Sequence, residues 1–189
     1  MIKPDDPGTR RGPAYGRRTA VGLALGAVLA GGLASAPAAE AAPTGSVCMF
    51  KFPYSIDDKA LAGHVAWAFQ TAPDRWIFGS YSTKPWSKSS WTGRDMVNNF
   101  KKQGYDGYRC KKTHQRLSST ATTTWKKLRG TEYRLWTNNC LTVSLAVFRS
   151  YSRELRSLPT PTAGTNKLPR TYYDKTLPKY GFGVNVRLK

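Results

Sequence analysis

The chain has 189 residues and a mass of 21.0 kDa, with 30 Lys and Arg against 11 Asp and Glu, a formal net charge of +19. That length suits one ordinary domain, and six Trp and ten Tyr exclude a disordered basic tail, which lacks aromatics to bury. Gly without a three-residue period and the lack of heptads exclude collagen-like and coiled-coil chains, and three cysteines are too few for a disulfide-built miniprotein.

The first forty-one residues read as an export signal. Lys3, Arg10, Arg11, Arg17 and Arg18 precede an uncharged stretch from Thr19 to Ala39, and Ala39-Glu40-Ala41 supplies small residues before a cut. Arg17-Arg18 resembles a twin-arginine signal, and general secretion fits equally well. Thr19–Ala39 is mostly Ala and Gly with Pro37 inside it, so no stable membrane anchor is expected after cleavage. Removing residues 1–41 takes away five basic and three acidic residues, leaving a charge of +17 and eight acids. The expected product is secreted and attracted to polyanions such as acidic cell-wall polymer, with nucleic acid a less favoured partner.

Residues 42–47 read as a short linker, and 48–189 as a single domain with a loop-rich tail. In GHVAWAFQ, alternation puts Val65, Trp67 and Phe69 on one face and His64, Ala66, Ala68 and Gln70 on the other, which is strand periodicity. Thr71-Ala72-Pro73-Asp74 is turn chemistry, and RWIFGSYS from Arg75 completes a β-hairpin. KPWSKSSW, from Lys84 to Trp91, reads as a polar loop. Thr92 to Gln103 reads as a helix, with Thr92 as N-cap and Gly104 as stop.

Tyr105 to Cys110 reads as a third strand and Lys111 to Thr124 as a polar Ser/Thr-rich stretch. A helical turn follows at Trp125 to Leu128, then a further strand at Glu132 to Trp136. Cys140 to Leu155 is the clearest helix, with Leu141, Leu145, Phe148 and Leu155 on one stripe and Asn138-Asn139 at its capping positions. Tyr172, Tyr173, Tyr180 and Phe182 predict that the Pro-rich tail packs back on the body. The fold class expected is α+β.

In an oxidising compartment one of three cysteines is left over. Cys48 opens the domain and Cys110 ends a strand, so a Cys48–Cys110 bridge is expected, with Cys140 free. A thiol in the first turn of a helix meets unpaired N–H groups and the positive dipole end, which favour its thiolate. Of the two histidines, His114 lies in the basic stretch KKTHQR and reads as exposed. His64 opens an otherwise apolar strand, beside small Ala66 and Ala68. A thiol at a helix start and an imidazole on a strand are the parts of a Cys–His dyad.

The segments GHVAWAFQTAPDRWIFGS and TNNCLTVSLAVFRSY together resemble the circularly permuted papain-like superfamily, which includes NlpC-type cell-wall peptidases and lecithin–retinol acyltransferase-like proteins. The resemblance implies a small antiparallel sheet packed on the helix headed by Cys140, and thiol acyl chemistry by peptidase, amidase or acyltransferase. Such families often carry a third polar residue on the strand after the catalytic His. Pairing Gln70 with Arg75 sets His64 opposite Tyr81, whose hydroxyl is the candidate orienter; a one-residue shift would put Ser80 there instead.

The site expected is therefore Cys140 as nucleophile, His64 as base and Tyr81 as orienter. Ala66 and Ala68 are expected beneath the Cys140 helix, with Trp67 and Phe69 on the opposite face under the 92–103 helix. No metal-ligand cluster or phosphate-binding Gly loop is present, and no cofactor is expected. A monomeric thiol hydrolase or acyltransferase, acting on an amide or ester in peptidoglycan, a protein or a lipid, is one reading. The other is a non-catalytic cationic binding protein on a degenerate papain-like scaffold. There Trp86, Trp91, Tyr105 and Tyr108 would interleave with Lys84, Lys88, Arg94, Lys101 and Lys102.

Overall fold

The computed structural model describes residues 44–53, 63–161 and 168–188. The chain divides between Ala39 and Glu40, and every described residue belongs to the second unit. The export signal expected at 1–41 lies outside the described residues.

The architecture is α+β. Six strands, β1 (Gly45–Phe52), β2 (His64–Ala72), β3 (Arg75–Ser80), β4 (Trp86–Trp91), β5 (Gly107–Thr113) and β6 (Val186–Arg187), form one sheet in the order β4-β3-β2-β1-β5-β6. Every neighbouring pair is antiparallel. The helices are α1 (Gly93–Lys102), α2 (Ser118–Leu128), α3 (Cys140–Tyr151) and the single turn α4 (Pro169–Thr171), which runs on into helical turns through Tyr180. Among the described residues no helix is long and apolar enough to cross a membrane.

Both faces of the sheet are covered. On one, Val47, Met49, Val65, Trp67, Phe69 and Tyr81 pack against α2, α3 and the C-terminal helical turns. On the other, Cys48, Phe50, Ala66, Ala68 and Phe78 pack against Met96 and Phe100 of α1 and against Tyr105. The assignment of faces is therefore the reverse of that expected: Trp67 and Phe69 lie under the Cys140 helix, and the two alanines under α1. The alternation correctly grouped the residues. Because both groups are apolar, it carried no signal for which helix each group meets. Small alanines leave room for Phe100 to stack on Phe50, ring centroids 3.8 Å apart.

Several elements differ from the sequence expectation for identifiable reasons. Residues 45–47, read as linker, belong to β1, which is flanked on both sides by β2 and β5. Its middle, Val47–Phe50, is buried on both faces and apolar throughout, so it lacks the alternation of a half-buried strand. The polar segment Trp86–Trp91 is the exposed edge strand β4, where serines and Lys88 cost little. Helix α2 forms from SSTATTTWKKL despite poor intrinsic propensity and no side-chain N-cap, because it buries Ala121 and Trp125. Glu132–Trp136 is not a strand: residues 134–138 form a turn in which the Arg134 and Asn138 backbones exchange N–H···O bonds of 2.9 Å.

Other expectations match. Thr92 caps α1, its hydroxyl accepting from Asp95 N–H at 3.1 Å. Tyr172, Tyr173 and Phe182 are buried and Tyr180 packs on the same cluster. Cys48 and Cys110 face each other across β1 and β5 and are joined by a disulfide, leaving Cys140 as the free cysteine among the described residues.

Candidate active site

His64 is the first residue of β2 and pairs with Phe52 of β1. Gly63 before it has φ of +68°, and a Cβ there would stand 3.0 Å from the Arg170 Cβ, so both conformation and space favour glycine. The imidazole Nε2 lies 2.6 Å from Ser80 Oγ. A register shift between Gln70 and Ala72 pairs Ala66 with Ser80, so Ser80 shares the His64 face. Burial pushes the His64 pKa down from its ordinary value to about 4, so the ring is neutral at pH 7.

Tyr81 does not orient the imidazole. It points to the other face of the sheet, where its hydroxyl donates to Thr131 O at 2.8 Å and accepts from Asn138 Nδ2 at 2.9 Å. The bulge at the hairpin end advances the register by one residue, which places the one-residue alternative, Ser80, beside His64. Tyr105, which the binding reading would put on a basic-aromatic surface, is only 6% exposed, and its ring centroid lies 6.2 Å from that of His64. Burial raises its pKa far above the usual phenol range, partly opposed by hydrogen bonding from Ser80 and reinforced by the Cys140 charge. The Ser80 hydroxyl, which can donate or accept, is the polar group that meets Nε2 of the imidazole.

Cys140 is the first residue of α3, and the helix start is built around Asn139. Asn139 Oδ1 accepts from Leu141 N–H at 2.9 Å and Thr142 N–H at 3.0 Å, while Thr142 Oγ1 accepts from Asn139 N–H at 2.9 Å. Asn139 Nδ2 also donates to Leu135 O at 2.7 Å, tying the preceding turn to the helix. The thiol is 1% exposed. Burial pushes its pKa up to about 11, against hydrogen bonding from the N–H groups of Val65, Leu141 and Cys140 itself. The expected thiolate is thus overturned at rest: desolvation outweighs the helix terminus.

The Val65 N–H is one peptide bond from His64, so the sulfur and the imidazole border the same peptide unit from opposite faces of the strand. Tyr105 joins the two sides, since it touches the His64 ring and is coupled electrostatically to Cys140. Tyr133 also faces the thiol; burial first, then the Cys140 and Tyr81 charges, push its pKa up to about 12.

A cavity of about 20 Å³ adjoins Cys140, lined by Gly63, Tyr133, Leu135, Trp136, Leu168 and Pro169 among others. That is room for about one water. A larger hollow of about 410 Å³ lies between β4 and α1 and includes Trp91, Asp95 and Lys102, but Asp95 is already bonded to the Thr92 hydroxyl at 2.7 Å.

The residues of the basic-aromatic set are partly built into the fold. Trp86, Trp91 and Tyr108 pack on the α1-side cluster, and the Lys88 ammonium covers the Trp91 ring at 4.6 Å from its centroid. His114 is exposed as expected, 3.8 Å from Glu154 Oε2.

Sequence reasoning named Cys140 and His64 and placed Ser80 one register step away. It did not place Tyr105 or Tyr133 beside these residues, because such neighbours depend on long-range packing. Comparison with known protein families, characterised proteins and solved structures returns no match to the chain.

Proposed function

We propose that the protein is a secreted thiol hydrolase or acyltransferase of circularly permuted papain-like type, with Cys140 as nucleophile, His64 as base and Ser80 in place of Tyr81 as orienter. The observation that carries this reading is the placing of Cys140 beside the start of β2. Cys140, heading α3, and Gly63, the residue before His64, line one small cavity, and the imidazole is held through Nε2 against Ser80 at 2.6 Å. A disulfide between Cys48 and Cys110 is compatible with an extracellular setting.

For this mechanism to run, the His64 imidazole must turn from the α1-side face to the sulfur's side of β2; Cys140 Sγ then attacks a carbonyl carbon as its proton passes to the imidazole. The carbonyl π pair moves to oxygen, where the Cys140 N–H at the helix start meets the oxyanion. Collapse expels the leaving group, which takes the proton from His64 and leaves an acyl-thioester on Cys140. Water or a second acceptor gives its proton to the imidazole, attacks the thioester and releases the thiol. Anionic cell-wall polymer suits a chain of this charge as the setting, without specifying the bond.

The test is acylation by an activated ester, read as a mass increase on the Cys140 peptide, together with alkylation by chloroacetamide. Both are expected at neutral pH and both should fall at least about tenfold in His64→Ala. Modification that proceeds equally without His64 would overturn the proposal and favour a non-catalytic cationic binding protein.

A further inference from the structure

The turn beside Cys140 carries an apolar tip that the acyl-transfer reading does not use. Its base is held firmly. Asn138 Nδ2 reaches Tyr81 Oη, Thr131 Oγ1 and Glu132 O at 2.6–2.9 Å, and Thr131 Oγ1 donates to Leu128 O at 2.6 Å. The Leu135 carbonyl is held by Asn139. On this fixed backbone Leu135 is 49% exposed and Trp136 64% exposed, side by side at the tip. All six tryptophans lie among the described residues, and only Trp136 is exposed.

The surroundings of the tip are cationic. Residues 126–138 carry Lys126, Lys127, Arg129 and Arg134 against one acid, Glu132, and that acid is paired with Arg134 at 2.9 Å. Arg170, 3.7 Å from Asp174, follows Pro169, which also lines the Cys140 cavity.

We infer that this turn docks on anionic lipid bilayers, with Leu135 and Trp136 seated at headgroup level. A Trp ring has an apolar body and a polar N–H, which suits it to that interface, and nearby Lys and Arg are drawn to the negative surface. A soluble polyanion would satisfy the cations and offer nothing to Leu135 and Trp136. The rigid base means that little backbone order is lost on docking. Docking sets the mouth of the Cys140 cavity against the bilayer. The inference rests on the turn alone and holds independently of chemistry at Cys140.

The experiment uses protein purified from the medium of a secreting host. It is sedimented with vesicles of phosphatidylcholine alone or of equimolar phosphatidylcholine and phosphatidylglycerol. Wild type should partition to the phosphatidylglycerol vesicles, and Leu135→Ser/Trp136→Ser should partition at least about tenfold less. Vesicles with brominated acyl chains should quench a Trp136 contribution to fluorescence that Trp136→Phe lacks. These variants alter only exposed side chains, and an unchanged melting curve documents an intact fold. Cys140→Ser should partition like wild type, which separates this test from the acyl-transfer one. Equal partition of wild type and the double variant, or no quenching difference in Trp136→Phe, would overturn the inference. So would equal retention of both proteins on long-chain polyphosphate and on vesicles, which assigns binding to charge alone.

Discussion

Removing the Ser80 hydroxyl separates the two candidate orienters. Ser80 is buried, and its oxygen lies 2.6 Å from His64 Nε2. Ser80→Ala leaves that ring nitrogen without a partner in a region from which water is largely excluded. An unmet buried donor or acceptor costs about 1–3 kcal/mol, so stability should fall by that amount. The imidazole also loses the contact that fixes its orientation. If about 1 to nearly 3 kcal/mol of that energy appears in the reactive state, alkylation of Cys140 slows about 5–100-fold, at about 1.4 kcal/mol per tenfold.

Tyr81→Phe is the matched control. It removes the bond to Thr131 O and one acceptor of Asn138, whose amide keeps Thr131 Oγ1 and Glu132 O. It should cost about 1–2 kcal/mol of stability and change the alkylation rate less than about threefold. The assay is chloroacetamide alkylation followed by mass spectrometry, run beside urea unfolding. A cycle with His64→Ala should show Ser80→Ala losing its kinetic effect when the imidazole is gone. Wild-type rates in Ser80→Ala with slowed rates in Tyr81→Phe would refute the assignment of Ser80.

Two further outcomes follow from burial and connectivity. His64 has a folded pKa of about 4 against an ordinary 6.5, so the unfolded chain binds more protons in that window and stability falls as pH drops from about 7 to about 4, by about 3 kcal/mol from this residue. Urea midpoints across that range should lose this slope in His64→Gln, and equal slopes in the two proteins would remove the buried-neutral account. Reducing Cys48–Cys110, which closes a separation of 62 residues, should lower stability by about 4 kcal/mol in the loop-entropy model. Urea unfolding with and without a phosphine reductant measures it, and a change under about 1 kcal/mol would show that the bridge adds little to a sheet already paired there.

What could be read from sequence was what local rules encode. The β2–β3 hairpin, the Thr92 cap, the Asn139 cap and the grouping of Val65 with Trp67 and Phe69 all rest on spacing within about ten residues. The inward-packing tail was legible from its aromatics. What could not be read was decided at longer range. Which face α3 covers depends on both layers, since each side of β2 is apolar. One bulged residue at Gln70–Ala72 exchanged Tyr81 for Ser80 at the imidazole, because strand alternation turns a single register step into a change of face. The Cys140 thiol was read from its helix position, where the dipole favours a thiolate. Its protonation is set instead by the β2, Tyr133 and Leu168–Pro169 surroundings that exclude water.

That exclusion bears directly on how a thiol in this position acts. With the cysteine at about 11 and the histidine at about 4, moving the proton between them at rest would cost about 10 kcal/mol before any mutual attraction is counted. A standing ion pair is therefore not the resting state, and both shifts share one leading cause, desolvation. Admitting water or a polar substrate to the 20 Å³ cavity would relax both toward their ordinary values and narrow the gap from both ends. On the proposed mechanism, access and activation would thus be one event at this site. The wall that must yield includes Leu135 and Trp136, whose exposed side chains also form the proposed bilayer contact. A surface that draws these two side chains outward, on the fixed backbone of the turn, would open the cavity and lower the cost of proton transfer together. Cys140 alkylation should accordingly speed up on phosphatidylglycerol vesicles in wild type and remain at its solution rate in Leu135→Ser/Trp136→Ser. Acceleration that persists in the double variant would separate docking from activation and refute the coupling.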